Sequence, residues 1–409
     1  MNPMNRFRRF LQERRERYER RVEAARRRLR PTEEDMRKAR AAATPPTRLD
    51  PGEYARRSRS ALLVTLVLVW GTWLAYMVFR DLFHLFLTKW FMSVTMVFGS
   101  FIAGSTSEGG GAVAFPVMTL MFKISPACAR NFSLAIQSVG MTAAAFAIWR
   151  CRIPVERNSI LFSSLGGAAG IVLGTFFVVP LFTDPAFTKM FFASVWLSFA
   201  GALYLINRDR DREIFYSIAD FKPLRAGSVL FVVGILGGVV TSLTGSGLDI
   251  LTFSLLTLRY RVSESVATPT SVVLMAFNSI VGFLTHLFLV PTPAAGGPYW
   301  MGDFQLEAYQ FWLVCIPIVV IGAPAGARFI RNRSRLFVAG LLYTTIFVQF
   351  AAALLILKPA GWLLLFSTLV FFTGLGLFGF LALSGKNRID LKMPLFQDPE
   401  TLRSLAQGD

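Results

Sequence analysis

Two runs of small and polar residues each interrupt a strongly apolar stretch. The first, Ser105-Thr106-Ser107-Glu108-Gly109-Gly110-Gly111, precedes the segment 112–122; the second, Thr241-Ser242-Leu243-Thr244-Gly245-Ser246-Gly247, precedes 248–258. These are the residue types of an anion site. A helix restarting after such glycines leaves its first N–H groups without partners and carries about half a positive charge at that end. Glycine also lets a ligand come close to the backbone, and neighbouring hydroxyls add donors. The candidates are Ser107, Gly109, Gly110 and Gly111 in the first break and Gly245, Ser246 and Gly247 in the second. The competing use of these glycines is close helix packing, common within membranes.

Polar residues recur downstream of each break. Arg130, Asn131, Ser133 and Gln137 open one apolar helix, and Thr268, Thr270, Ser271 and Asn278 open another, with Pro269 expected in its first turn. Ser133, Thr270 and Ser271 could complete an anion's shell or bond back to their own helices. Gln137 and Asn278 are amides that would be costly against lipid. Glu108 abuts the first break, as either a helix cap or a protonatable gate that would otherwise repel the substrate. Asp249 has the position of a cap, and His286 that of an interface residue. Arg130 is expected to attract anions to one mouth of the site or to snorkel. A second chemistry is formally available: Ser246 as a nucleophile with His286 as its base, an intramembrane hydrolase dyad. Depth argues against it, since Ser246 belongs near the midplane and His286 near one face. Three cysteines offer neither a disulfide framework nor metal spacing, and no metal or other cofactor is expected.

The elements that position these residues are membrane helices. The chain is 54% hydrophobic and 17% charged, and the apolar residues are clustered. Segments 61–79, 158–180, 187–206, 309–327, 336–357 and 362–383 each approach or exceed the ~20 residues that cross a bilayer. Lys and Arg in short loops set the orientation. The regions 150–157, 207–225 and 328–335 are basic and therefore cytoplasmic, whereas 291–310 lacks Lys and Arg and faces outward. This assignment requires 90–122 to start and end outside and 229–258 to start and end inside. The arms after the glycines span roughly 17 Å at 1.5 Å per residue, about half a bilayer. Two re-entrant hairpins of opposite direction fit, and backbone that leaves the helical ladder in a membrane must be buried in protein or line a polar cavity.

The halves also align. Gly111 pairs with Gly247 at an offset of 136, and Ala129-x-x-x-Ser133 pairs with Ala267-x-x-x-Ser271 at an offset of 138. The expected fold is an all-α polytopic membrane protein with two inverted repeats, at about 90–207 and 226–358. Each would be a broken helical hairpin plus about three transmembrane helices, with extra N- and C-terminal helices. The transporter domain then runs over 61–383, between a basic arm (1–60) and a tail (384–409), both cytoplasmic. The arm holds 18 Arg and 1 Lys against 9 Asp and Glu, which supplies +10 of the chain's +18. It is expected to form a long charged helix over 6–30, either attracted to anionic lipid or simply solvated while fixing orientation. Nucleic acid is not an expected partner of this arm. Its lack of an apolar core predicts no cleavable signal peptide.

The segments GSFIAGSTSEGGGAVAFPVMTLMF with ISPACARNFSLAIQSVGM, and GILGGVVTSLTGSGLDILTFSLL with VSESVATPTSVVLMAFNS, resemble the two repeats of the TauE/SafE sulfite-exporter family. This family is also called the toluene-sulfonate uptake permease family. The similarity covers about 90–358. Gly109, Gly110, Gly111 and Pro116 match its glycine-rich break, and Ala267, Thr270 and Ser271 match its helix start. The resemblance implies a transporter of sulfite, sulfonates and related anions in the plasma (bacterial inner) membrane. Export of an anion from a negative interior is downhill by ~2.3 kcal/mol per charge per 100 mV and requires no coupling ion. The alternative is uptake coupled to protons, with Glu108 as carrier. The composition does not bear on oligomeric state.

Overall fold

The computed structural model describes residues 49–106, 109–207, 215–218, 221–290, 302–330 and 335–392, together with 42, 44 and 46. Ser107, Glu108, the helix expected over 6–30 and most of the C-terminal tail lie outside these residues. The described chain is helical throughout, and its one extended pairing is a bridge between Phe215 and Val262.

Twelve helices follow in order. Helix α1 spans Pro51–Phe79 and α2 spans Leu85–Ser105. After the first break, α3 covers Gly109–Met121, and α4 covers Pro126–Arg150. Helices α5 (Arg157–Leu181) and α6 (Pro185–Asn207) complete the first half. Helix α7 (Pro223–Thr244) leads to the second break; α8 starts at Leu248–Ser254 and continues as a wider turn over Leu255–Arg259. Helices α9 (Glu264–Leu289), α10 (Leu306–Ile330), α11 (Arg335–Leu357) and α12 (Gly361–Lys392) follow. All but α3 and α8 are long and apolar enough to cross a bilayer, ten among the described residues. Helix α8 follows its glycine run, as the sequence predicts, whereas α3 begins on the glycines themselves, at Gly109.

Local chemistry sets the boundaries. Ser125 Oγ accepts from Cys128 N (3.3 Å) and Pro126 occupies the first turn of α4, where its missing N–H is harmless. Ser263 Oγ accepts from Ser265 N (3.3 Å) and starts α9 at Glu264. This corrects the expectation for Pro269: it lies inside α9, a full turn further on. There it removes a donor from the Ser265 carbonyl. Gly245, with φ 78°, ends α7 in the left-handed conformation open to glycine.

The packing crosses between the halves. Helix α2 lies against α10 and α7 against α5, while α4 and α9 pack together between them. Small residues allow the close approaches. A side chain on Gly104 or Gly326 would strike the backbone of the facing helix, and so would one on Gly166, Gly170, Gly234 or Gly238. Around this core, α11 and α12 pack on α6, and α1 packs on α4 and α10. Between α1 and the core is an apolar cavity of about 780 Å³ lined by Trp73, Val139, Phe283 and Trp312. Leu63, Val67, Phe79, Phe347, Trp362 and Phe372 are exposed on the perimeter. Apolar side chains distributed in this way suit a hydrocarbon surround rather than water.

Candidate functional site

The two breaks meet. A side chain on Gly109 would lie 2.6 Å from Asp249 Oδ2, 2.7 Å from Gln137 Oε1 and 3.2 Å from Ser246 Oγ. One on Gly111 would lie 2.5 Å from Gln137 Nε2 and 3.1 Å from the Gly245 carbonyl, and one on Gly245 would lie 2.6 Å from Ser133 Cβ. Gly109, Gly111, Ser133, Gln137, Gly245, Ser246 and Asp249 therefore form one cluster, in which every described side chain is buried. Gly110 faces the other way, in ordinary contact with Ala103, Gln137 and Met96. Beside Gly110 and Gln137 the open space is about 10 Å³, no more than a single water occupies.

The second half-helix has already satisfied its leading donors. Gly247 N (2.8 Å) and Ile250 N (2.9 Å) donate to Asp249 Oδ1, and Leu248 N donates to Thr241 Oγ1 (3.0 Å). Ser246 Oγ donates to Asp249 Oδ2 (2.9 Å). Thr244 Oγ1 donates to the Ser246 carbonyl (2.6 Å), which holds the left-handed link between α7 and α8 in shape. Asp249 is thus the cap the sequence suggests, and it does more, since its second oxygen faces the first break. Thr241 was visible only as part of a polar run; its use as an acceptor depends on the fold of the turn.

Gln137 bridges the breaks from α4. Its Nε2 donates to the Ser133 carbonyl (2.9 Å) and to the Gly245 carbonyl (2.7 Å). Its Oε1 is buried without a hydrogen-bond partner, as is Ser133 Oγ. The other candidates on α9 are placed differently. Ser271 Oγ bonds back to the Thr268 carbonyl (2.8 Å), and Thr270 Oγ1 donates to the Val266 carbonyl (2.6 Å) while accepting from Glu156 N (2.9 Å). Asn278 Nδ2 donates to the Leu274 carbonyl (3.0 Å), and its Oδ1 lies beside Gly167, where a side chain would come within 2.6 Å. Asn278 so borders the start of α8 without joining the Gly109 cluster.

Arg130 is buried and points away from the breaks. Its Nη2 pairs with Asp303 Oδ2 (3.2 Å) and its Nε donates to Asn131 Oδ1 (3.0 Å), while its main chain packs beneath Gly245. Asp303 Oδ1 also meets His286 Nδ1 at 2.8 Å, and Asn131 Nδ2 donates to the Asp303 carbonyl (3.1 Å) and to Gln305 Oε1 (2.9 Å). One carboxylate therefore joins α4, α9 and the start of α10. Neither nitrogen of His286 bonds Ser246, so the hydrolase dyad is not assembled. At the other end of α9, Glu156 accepts from Ile218 N (3.2 Å) and from Asn158 Nδ2 (3.2 Å). Burial pushes the Glu156 carboxyl above its ordinary range, and these hydrogen bonds only partly offset it. Among the described residues no group of three or more His, Cys, Asp or Glu could hold a metal ion.

A family model described as sulfite exporter TauE/SafE matches residues 91–354, a range that contains both breaks, α4, α9 and α10. No curated protein and no solved structure matches the chain.

Proposed function

The chain belongs to the TauE/SafE sulfite exporter family, and we propose that it exports sulfite or an organosulfonate through the cluster where its two broken helices meet. The family is one of membrane anion transporters. The observation that carries the finer reading is the convergence of Gly109, Gly111, Gly245 and Ser246 from different halves on one buried point. Interrupted helices brought together within a membrane domain are the arrangement in which transporters hold their substrates. In this reading the backbone N–H groups of the first break, the Ser133 hydroxyl and Ser246 contact the anion's oxygens. The basic loops between the helices support a cytoplasmic side for both termini.

The test is flux in sealed vesicles. Gly110→Leu adds bulk along the first short arm, and Ser246→Leu removes a hydroxyl that faces Gly109. Each is expected to insert normally and to lose sulfite and sulfonate efflux. Wild-type flux in Ser246→Leu would overturn the placement of the site.

A further inference from the structure

The Gln137 amide cannot be turned over, and this has a chemical consequence for Asp249. Its Nε2 donates to two carbonyls, those of Ser133 and Gly245. Reversing the amide would set an oxygen against both of them. The remaining atom, Oε1, is therefore an acceptor, buried and without a partner. It converges with Asp249 Oδ2 on the point that a Gly109 side chain would fill, at 2.7 Å and 2.6 Å. An ionised carboxylate has no proton to offer a carbonyl oxygen. Two acceptors brought to one buried point leave at least one of them without a donor, a costly state for buried polar atoms.

From this geometry we propose that Asp249 binds a proton on Oδ2 and donates it to Gln137 Oε1, and that the protonated form admits the anion. The hydrogen bonds balance. Oδ1 keeps the N–H groups of Gly247 and Ile250, while Oδ2 accepts from Ser246 Oγ and donates to Gln137. A neutral Asp249 also removes the like charge that would oppose an anion at the same break. Proton and anion then bind together, so a monovalent anion crosses without net charge. The inference rests on the proposed anion site but has its own readout.

Among the described residues of this cluster, Asp249 is the ionisable side chain. Arg130 on α4 and His286 on α9 bond Asp303. Arg157, Lys189, Arg225 and Glu264 lie within a turn or so of the helix ends of α5, α6, α7 and α9, and Arg259 lies at the far end of α8. The hydrogen-bond donors to Asp249 are Ser246, Gly247 and Ile250. Glu108, beside the first break, is controlled for by substitution.

The experiment is infrared difference spectroscopy of the full chain in lipid, titrated from about pH 5 to about pH 9 without substrate. It is paired with methanesulfonate binding over the same range, because that probe stays ionised throughout. A carboxylic C=O band is expected that titrates in the wild type, disappears in Asp249→Asn and persists in Glu108→Gln. In Gln137→Leu its midpoint should fall by about one pH unit, the equivalent of one hydrogen bond to the neutral acid. Sulfonate affinity should fall as pH rises with the same midpoint, and Asp249→Asn should flatten that curve. Absence of the band, as an ionised Asp249 bridged by water would give, overturns the proposal. So does loss of the band in Glu108→Gln instead, or dependence of the binding curve on sodium in place of pH. If the band behaves as expected while neither methanesulfonate nor sulfite binds, the proton site stands and the anion reading fails, and with it the coupling of the two.

Discussion

Gly109 has φ 72°, and a methyl group added there would sit 2.6 Å from Asp249 Oδ2 and 2.7 Å from Gln137 Oε1. Its neighbour Gly110 would place the same methyl at ordinary contact distance, 3.6 Å or more, from Ala103, Gln137 and Met96. The two glycines should therefore separate cleanly. Gly109→Ala combines left-handed strain with a clash in a packed cluster and is expected to cost about 2 kcal/mol or more of stability and to abolish flux. Gly110→Ala is expected to unfold and transport like the wild type, with thermal melts and vesicle efflux as the measurements. Glu156 makes a second residue-scale prediction. Its folded-state carboxyl is held above the ordinary range by burial, so its contribution is fully present at low pH, below the unfolded value. That contribution is lost as pH rises through the raised folded value. The wild-type melting temperature should decline as pH rises above the ordinary carboxyl range, and Glu156→Gln should lack that decline.

At the scale of elements, the domain depends on two backbone-to-backbone contacts, α2 with α10 and α5 with α7. Gly166 faces the Phe231 carbonyl, and Gly234 faces that of Ser163. Within lipid there is no hydrophobic gain to press helices together, so this close packing must supply the association. Gly234→Val is expected to push α7 off α5 and to lower stability by about 3 kcal/mol. It should also displace the second break, since α7 delivers Gly245 to the site. Gly379→Val, on α12 where a side chain meets nothing within 4 Å, is the matched control and should melt normally. The six long apolar segments were legible in the sequence to within a turn or so at most boundaries, because ~20 apolar residues have few alternatives to a spanning helix. Helix α1 begins earlier, at Pro51, where charged residues hide its first turns from a hydropathy reading. Pro269 was misplaced by the same kind of blindness. Ser263 starts α9 early, and a cap of that sort is visible only once the turn is folded.

The whole molecule shows a reciprocal exchange, with α2 against α10 and α7 against α5. Two related halves would pack in this way, and we propose that they are inverted in the membrane. Cysteine accessibility tests it against a quiet background, since Cys128, Cys151 and Cys315 are all buried. Thr88→Cys and Lys123→Cys flank the first hairpin and should both react from outside the cell. Leu224→Cys and Ser265→Cys flank the second and should both react from inside. Opposite-side labelling within either pair would refute the inversion.

The sequence by itself determined that the chain is an all-helical membrane protein of an anion-transporter family with two interrupted helices. Those properties follow from local causes: apolar length and the glycines that end a helix. The tertiary structure alone decided which polar groups meet. Gln137, Asp249 and Gly109 lie far apart in the chain, and nothing local predicts that a carbonyl oxygen and a carboxylate oxygen close on one glycine. The same holds for Arg130, whose sequence position suggests a free cation near a mouth. It is paired with Asp303, because α4, α9 and the start of α10 bring their polar ends together. Partner choice among buried polar groups is set by the packing of whole helices, and in a membrane an unpaired buried group is too costly to leave to chance.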